Sequence, residues 1–321
     1  MKVFKIEIAI FLILLLGAIV FQLAKSLTSE LQGSPQAAED THIIVLGIAQ
    51  DAGYPQINCQ KSCCQNLWTD KRKRKMVSSI ALRDPQSKRA WLFDATPDFK
   101  DQLQLLKEGG YTLEGIFLTH AHIGHYTGLM QLGLEALVAE NIPVYVLPRM
   151  KEYLENNGPW SQLVSLKNIE LRLINDSIPV SLSPGVSVET ELVPHRDEFS
   201  ETAAFTIRTN TSSALFIPDI DKWNKWDKDI NVKVQNVDLA FLDGSFYRNG
   251  EIWGRDMSLI PHPFITESMI QFSTLSAENK NKIHFIHLNH TNPLLNTSSS
   301  ERKEFDKTEF KLAQEKGIYK I

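Results

Sequence analysis

Three of the nine histidines in this chain, His120, His122 and His125, fall within six residues. They follow an apolar run at residues 115–118 that predicts a strand, and they precede a segment at 126–139 that predicts a helix. Neutral imidazole binds Zn, Fe, Ni or Cu, and a His-x-His pair can direct two rings from one turn toward one ion. The fold must therefore end a strand here and bring further ligands to it.

The first 40 residues differ from the rest of the chain. Lys2 and Lys5 precede an apolar run at residues 8–24, and a polar linker follows at 26–40. A run of about 17 residues is long for the apolar part of a signal peptide and short for a membrane span. No small-residue cleavage site follows it. We expect an uncleaved anchor with the catalytic part exported, either periplasmic or held at the membrane outside the cytoplasm.

Composition argues against a polyanionic partner. The 321 residues carry a formal net charge of −4, which gives no general attraction to nucleic acid. Residues 71–75 are five consecutive basic residues, but no aromatic residues are interleaved with them, so they predict a solvated face. We therefore expect a small-molecule substrate, no nucleic acid, and membrane contact only through residues 8–24. The oligomeric state stays open.

Apolar strands and amphipathic helices alternate after residue 41, which indicates an α/β domain at 41–321. Two sets of strands, each followed by helices, predict two facing sheets with helices outside. The predicted strands are 42–48, 77–83, 89–94, 143–147, 169–174, 186–193, 204–208, 214–217, 238–242 and 282–288, and the predicted helices are 99–106, 126–139, 149–155, 223–233, 265–272 and 300–315.

The three cysteines of the chain form one cluster, Cys59, Cys63 and Cys64. They could bind a structural zinc ion with a fourth ligand from elsewhere in the chain. In an exported protein, two of them could instead form a disulfide bond and leave one thiol free. Three free thiols are the remaining alternative.

Three further polar residues lie where predicted strands end. His195 follows one strand, Asp219 ends the next pair, and His290 follows the last. A histidine or aspartate that leaves an apolar strand lies at a sheet edge, where binding sites are built. With the histidine cluster, these residues could bind two metal ions. Asp94 ends an earlier strand and could orient a metal-bound histidine.

This series of strand-end ligands resembles the metallo-β-lactamase superfamily over residues 42–295. The resemblance implies a four-layer αββα sandwich with the metal site at one edge of its sheets. It implies six ligands, with Asp219 bridging the two ions: His120, His122 and His195 for the first ion, and His125 and His290 for the second.

Several segments also resemble the pyrroloquinoline-quinone biosynthesis B family within that superfamily. They are residues 53–59, 95–98, 125–129 and 289–293, and they occur in the right order. Members of that family usually lack the paired histidines of the His-x-His motif. We therefore interpret the chain as a relative that kept a metal site, and a role in quinone-cofactor synthesis does not follow.

The chain departs from the superfamily motif at Gly124, where an aspartate normally precedes the third histidine. Loss of that carboxylate would remove one ligand and one negative charge from the second ion. The sequence therefore predicts Zn²⁺ at the first site and a second site that is weak or holds another metal, such as Fe²⁺.

Asp243 and His262 form a second patch of polar residues. Their surroundings resemble elements of the phosphodiesterase-like branch of the superfamily, which includes the tRNA 3′-processing nucleases. The resemblance implies that His262 donates a proton to the leaving group with the help of Asp243. A metal ligand or a structural turn histidine are the alternatives for His262. For His284 and His287 we expect packing roles.

Together these features predict a metal-dependent hydrolase. An ion that shares Asp219 would lower the pKa of a bound water toward 7, and the hydroxide would attack a phosphodiester or an ester or lactone. One rival is oxygen chemistry at Fe²⁺ held by His125, His290 and Asp219, since two histidines and one carboxylate suit non-haem iron. Another is an exported binding protein whose site has decayed.

Overall fold

The computed structural model describes residues 40–321, together with Gln22. The predicted anchor at residues 8–24 lies outside the described residues apart from Gln22, and export therefore stays a prediction. Within the described range, every helix is too short or too polar to cross a bilayer. Asp40–Ile321 forms one unit by its internal contacts.

The described chain contains fourteen strands, eight α-helices and five short 3₁₀ turns. The strands are β1 (His42–Gly47), β2 (Ser79–Asp84), β3 (Arg89–Phe93), β4 (Thr112–Phe117), β5 (Ile142–Val146), β6 (Ile169–Leu173), β7 (Val180–Ser183), β8 (Val186–Leu192), β9 (Ala203–Arg208), β10 (Ser213–Ile217), β11 (Leu239–Asp243), β12 (Ile283–Ile286), β13 (Lys311–Leu312) and β14 (Ile318–Lys320).

The helices lie mainly between and after these strands. The α-helices are α1 (Phe99–Lys107), α2 (Ile123–Tyr126), α3 (Pro148–Asn156), α4 (Trp160–Ser165), α5 (Ile230–Gln235), α6 (Ile265–Gln271), α7 (Ala277–Asn281) and α8 (Ser300–Phe305). The 3₁₀ turns are Gln65–Leu67, Lys71–Lys73, Thr127–Leu132, Trp223–Lys225 and Pro293–Leu295.

The strands form two sheets, as predicted, and each sheet has seven strands. The first has the order β14-β1-β2-β3-β4-β5-β6 and the second the order β13-β12-β11-β10-β9-β8-β7. In the first sheet β3 and β4 are parallel, and in the second β10, β11 and β12 are parallel. Because the carboxyl ends of parallel strands meet at one edge, the residues that follow these strands lie together.

Aromatic side chains from both sheets form the centre of the core. Phe93 and Phe117 of the first sheet stack with ring centroids 5.1 Å apart. Phe205 of the second sheet packs against Phe93 edge-on at 5.5 Å, and Phe216 lies 6.2 Å from Phe93. Full burial of each such ring contributes about 2 kcal/mol through the hydrophobic effect. The sandwich between two sheets is therefore a packed core, which makes a rigid support for its edge.

Some predicted helices differ from the structure. The helix predicted at 126–139 is wrong, because α2 ends at Tyr126 and a 3₁₀ turn follows at Thr127–Leu132. A Cβ atom at Gly128 would lie 2.1 Å from the carbonyl oxygen of Thr96. The backbone at Gly128 therefore packs directly on the loop that contains Thr96, and this tertiary contact replaces the regular helix. The helix predicted at 300–315 ends at Phe305, before β13.

Candidate metal centre

Four predicted ligands converge at the sheet edge: His120, His122, His195 and Asp219. Their donor atoms all lie within 4.8 Å of one another. Asp219 Oδ2 is 3.5 Å from His120 Nε2 and 3.3 Å from His195 Nε2. His122 Nδ1 is 2.7 Å from His120 Nε2 and 3.3 Å from His195 Nε2. Ligands about 2.1 Å from one tetrahedral ion lie about 3.4 Å apart, so this first cluster has the spacing of a metal site.

The tautomer of His120 is fixed by a buried relay. The Thr119 hydroxyl donates to Asp94 at 3.0 Å and therefore accepts a hydrogen bond from Nδ1 of His120, also at 3.0 Å. Nε2 is then left without a proton and faces Asp219. Burial, with His125 nearby, holds the pKa of His120 well below its ordinary value. The ring is therefore neutral, as a metal ligand must be.

His122 and His195 each also direct one ring nitrogen into the first cluster. Glu198 Oε2 lies 3.0 Å from His122 Nε2, which leaves Nδ1 of His122 facing the cluster. Burial lowers the pKa of His195 to about 4. Glu198 was not predicted, because it lies in a loop three residues after His195 and no pattern distinguishes it from other loop acids. A carboxylate that binds the outer nitrogen of a metal-ligating histidine orients that ring.

Asp219 is the residue that joins the parts of the site. It follows β10, is 2 % exposed, and its Oδ2 also lies 3.8 Å from His125 Nε2. Burial alone would raise the pKa of Asp219, but His195 and His262 outweigh burial and hold it well below the ordinary value. The carboxylate is therefore ionised and can bridge two cations.

His125 lies in a second cluster with Asp51 and His287. Its Nδ1 donates to Asp94 Oδ2 at 2.7 Å, and its buried Nε2 has no hydrogen bond from any described residue. That nitrogen lies 3.3 Å from Asp51 Oδ1, which is also 3.4 Å from His287 Nε2. Burial opposes charge on His125, but Asp94 and Asp51 outweigh it and raise the pKa of His125 well above its ordinary value. The carboxylates around His125 therefore stabilise positive charge at this position.

The structure groups His287, and not His290, with the donor atoms at this edge. His287, for which we predicted a packing role, lies in the second cluster, and His290 lies in none of the ligand clusters found among the described residues. The prediction assumed an extended chain from His284 to His290, with alternate residues on one face. However, β12 ends at Ile286, and a φ of 66° at His287 turns its ring into the site.

The space beside Gly124 is filled by Asp51, while the weak second site expected from Gly124 stays a prediction. A Cβ atom at Gly124 would lie 2.3 Å from Asp51 Oδ1, so a carboxylate from another loop already fills this space. Asp51 belongs to the loop after β1, in which we predicted no metal ligand among the carboxylates. The signal used for Asp219, a carboxylate just beyond the end of an apolar strand, also applies to Asp51.

The predicted pair Asp243 and His262 lies beside the first cluster. His262 Nδ1 is 2.8 Å from Asp243 Oδ2 and 3.1 Å from Asp219 Oδ1. Asp243 is itself held by the backbone N–H of Ser245 at 2.8 Å. Burial opposes charge on His262, but the two carboxylates outweigh it and raise the pKa of His262 to about 10. The imidazolium is therefore the stable form of His262 in the metal-free protein.

The cysteine cluster contains no disulfide bond. Cys63 Sγ lies 3.8 Å from Cys59 Sγ and 3.9 Å from Cys64 Sγ, and all three thiols are free. Thiolates about 2.3 Å from one tetrahedral zinc lie about 3.8 Å apart, so the spacing fits a shared ion. Burial raises the pKa of Cys64 to about 12, which a bound metal would reverse.

A cavity of about 850 Å³ opens beside the second cluster. Asp51 and Ile123, which lie next to the metal centre, line it, and so does Trp68. The basic run at 71–75 is largely exposed, as predicted, and four of its five residues line the cavity. The run is therefore closer to the candidate site than its position in the sequence indicates.

Two facing sheets with outer helices, and a histidine–aspartate cluster at their edge, define a protein of the metallo-β-lactamase type. The sequence profile of the "Beta-lactamase superfamily domain" matches residues 89–285, more than half of the chain, and the chain therefore belongs to the metallo-β-lactamase superfamily. Within it the chain is PqqB-like, because the curated proteins that it matches include several coenzyme PQQ synthesis B proteins.

The relatives match over most of their length. Coenzyme PQQ synthesis protein B of Xanthomonas axonopodis pv. citri is 28% identical over 290 residues, which cover 81% of this chain and 93% of that protein. The corresponding protein of Acinetobacter baylyi is 28% identical over 310 residues, covering 84% and 97%.

Solved structures show the same fold. Zn²⁺-bound PqqB from Methylobacterium extorquens has a TM-score of 0.72 at 20% identity, over 87% of this chain and all of that one. A diphosphatase from the PhnP family has a TM-score of 0.65 at 19% identity, over 88% and 98%. At these identities the likeness establishes the fold alone.

Proposed function

We propose that this protein is a metal-dependent hydrolase that cleaves a phosphodiester or an ester or lactone bond in a small molecule. The observation that carries the proposal is the convergence of four donor atoms from His120, His122, His195 and Asp219 at the spacing of one tetrahedral ion. Zn²⁺ suits three imidazoles and one carboxylate.

The residues present fit a metal at this edge. Thr119 binds one ring nitrogen of His120, and Glu198 binds one ring nitrogen of His122. The other nitrogen of each ring faces the cluster. This division of the two nitrogens is what metal-ligating histidines need. An ion bound there would supply Lewis acidity and a nucleophilic hydroxide at neutral pH.

The proton for the leaving group would come from His262. Asp243 and Asp219 hold Nδ1 of His262 at 2.8 Å and 3.1 Å and stabilise its protonated form. Because both carboxylates face Nδ1, Nε2 of His262 is the nitrogen that would meet a leaving oxygen. Asp243 is the positioning residue, because it fixes the ring and its charge without reaching the substrate. The cavity beside Asp51 offers a small molecule room to approach.

The comparisons support hydrolysis without naming the substrate. A diphosphatase and a human tRNase Z with a TM-score of 0.54 share the fold, so it accommodates phosphoester chemistry. The similarity to PqqB sequences supports a role in cofactor synthesis as an alternative. In that role the enzyme would carry out oxygen chemistry at Fe²⁺. One observation favours this oxidative alternative: the second cluster contains two histidines and one carboxylate, a set that suits Fe²⁺, in His125, His287 and Asp51.

The test is metal content and turnover of the purified domain. We expect bound zinc, and hydrolysis of bis(p-nitrophenyl) phosphate or of a simple lactone. His122→Ala should remove metal from the first site and abolish turnover. His284→Ala should change neither, because among the described residues His284 bonds to the backbone of Lys282, packs on Phe241 and Tyr319, and lies in none of the donor clusters. Iron with oxygen consumption would replace the proposal with the oxidative one. A protein without metal or turnover would indicate a binding role.

A further inference from the structure

Gly124 has no conformational reason to be glycine. It lies in α2, and its φ is outside the left-handed region where other residues are strained. Its neighbours provide the reason instead. A Cβ atom there would lie 2.3 Å from Asp51 Oδ1, 2.7 Å from Asp51 Cα and 2.9 Å from Asp51 Cβ. The residue is small because Asp51 occupies the space beside it.

The Asp51 carboxylate has the position of a ligand. Its Oδ1 is 3.3 Å from His125 Nε2 and 3.4 Å from His287 Nε2, and Asp219 Oδ2 is 3.8 Å from the same nitrogen of His125. These separations are close to the distance of about 3.4 Å between ligands of one tetrahedral ion. His125 Nε2 is buried and faces the carboxylates of Asp51 and Asp219, whose negative charge would stabilise a cation bound among them.

The backbone holds Asp51 and His287 in register. The N–H of Gln50 donates to the carbonyl of Leu288 at 2.9 Å, and the N–H of Leu288 donates to the carbonyl of Ile48 at 2.7 Å. The loop after β1 is thereby paired with the end of β12. Asp51 follows Gln50, and His287 precedes Leu288, so each candidate ligand is next to a residue of this backbone pairing. The pairing therefore fixes the position of the two ligands relative to each other.

We propose that Asp51 is a ligand of a second divalent cation, together with His125, His287 and the shared Asp219. It replaces, from a different loop, the carboxylate that the superfamily motif carries at the position of Gly124. The proposal rests on the proposed function, because the ion shares Asp219 with the first site. The second site then has four protein ligands. Glycine is required at position 124 because any side chain there would displace the carboxylate of Asp51.

Two variants test the relocation from opposite sides. Asp51→Asn keeps the shape of the side chain and removes its charge. Gly124→Ala removes no ligand and introduces the Cβ that would displace the carboxylate. Asp101→Asn is the matched control, because Asp101 is an exposed acid that lines the same cavity and lies in neither cluster.

The measurement is titration of each metal-free protein with Zn²⁺ by calorimetry, and with Co²⁺ followed by its visible absorption. Wild type and Asp101→Asn should bind two ions at the histidine sites. Asp51→Asn and Gly124→Ala should keep the first and bind the second about 100-fold more weakly, since even residues that only orient a ligand change affinity 10–100-fold. Circular dichroism of each metal-free variant should match wild type. To remove any contribution from the cysteines, each protein also carries Cys63→Ser.

The outcomes separate the two proposals. An unchanged second affinity in Asp51→Asn, or in Gly124→Ala, would overturn the relocation and leave the proposed function intact. His122→Ala should weaken the first ion while Asp51→Asn weakens the second. If His122→Ala affected neither ion, the first site and the proposed function would fail, whatever the result for Asp51.

Discussion

The Asp94 carboxylate accepts a hydrogen bond from His125 Nδ1 at 2.7 Å, and neither side chain is exposed to solvent. Asp94 follows β3, has a φ of 68°, and also binds the backbone N–H and hydroxyl of Thr119. One carboxylate therefore sets the tautomer of His125 directly and that of His120 through Thr119. Both halves of the histidine motif depend on it.

Asp94→Asn should weaken binding of both ions by about 10–100-fold, because an amide cannot hold both imidazoles in the required tautomer. Calorimetric titration with Zn²⁺ measures this change. Asp84→Asn is a suitable control, because Asp84 is a buried carboxylate at the far end of β2 that binds Ser87 and Gln86. Equal metal affinity in wild type and Asp94→Asn would show that Asp94 has only a structural role.

His262→Gln should lower kcat about 100- to 10,000-fold on substrates with a poor leaving group, such as an alkyl ester, through loss of the proton donor. The loss should be much smaller for p-nitrophenolate, which leaves without a proton. Metal content should not change. Asp243→Asn should follow the same pattern to a lesser degree. An equal loss on both leaving groups would argue against proton donation.

The cysteine cluster should bind one ion independently of the histidines. Cys63→Ser should remove one equivalent of zinc and lower the thermal midpoint, because metal bound only by the folded state stabilises it. His122→Ala should leave that equivalent in place. If Cys63→Ser kept all of the zinc, the three thiols would be packing residues beside Tyr54 and Leu67.

Glu191 provides a test of stability away from the metal centre. This buried side chain on β8 accepts a bond from Lys228 at 2.8 Å and also pairs with Lys233. Burial would raise the pKa of Glu191, but the two lysines outweigh it and lower the pKa below 4.5. Glu191→Gln should therefore cost about 2 kcal/mol of unfolding free energy at pH 7.

The pH dependence gives that prediction its sign. A group whose pKa is lowered by folding stabilises the protein above its unfolded pKa, so the difference between wild type and Glu191→Gln should shrink as the pH falls below 4.5. Urea unfolding of the metal-free proteins measures it. Glu170→Gln, at an exposed pair with Arg172, should change stability by less than about 0.5 kcal/mol. A difference for Glu191→Gln that stayed constant to pH 3 would contradict the assignment.

Strand ends were the part of the site that could be predicted from the sequence. Asp219 was selected because it leaves an apolar strand, and Asp243 was paired with His262 through the resemblance; the structure shows that β10 and β11, which lead to Asp219 and Asp243, are parallel neighbours. His287 could not be placed in this way, because its position depends on one left-handed φ angle that no periodicity shows. Asp51 follows β1 and so carried the same strand-end signal, but its position beside His125 and His287 depends on a contact between two loops, which single-residue patterns do not encode.

The fold itself was predicted with its layers, and the differences lie where tertiary contacts override local preference. Gly128 packs on Thr96, and this contact shortens the helix expected after the histidines. The edge strands β7, β13 and β14 were missed because they are short, at four, two and three residues. Such strands exist through pairing with a neighbour and carry little apolar pattern of their own.

The most direct test of the metal centre is anomalous diffraction at the zinc edge from crystals of the protein grown with Zn²⁺. We expect one peak among His120, His122, His195 and Asp219, and a second bounded by Asp51, His125 and His287. No peak at the first position would contradict the proposed hydrolase. A second peak beside His290, or none near Asp51, would contradict the rebuilt second site.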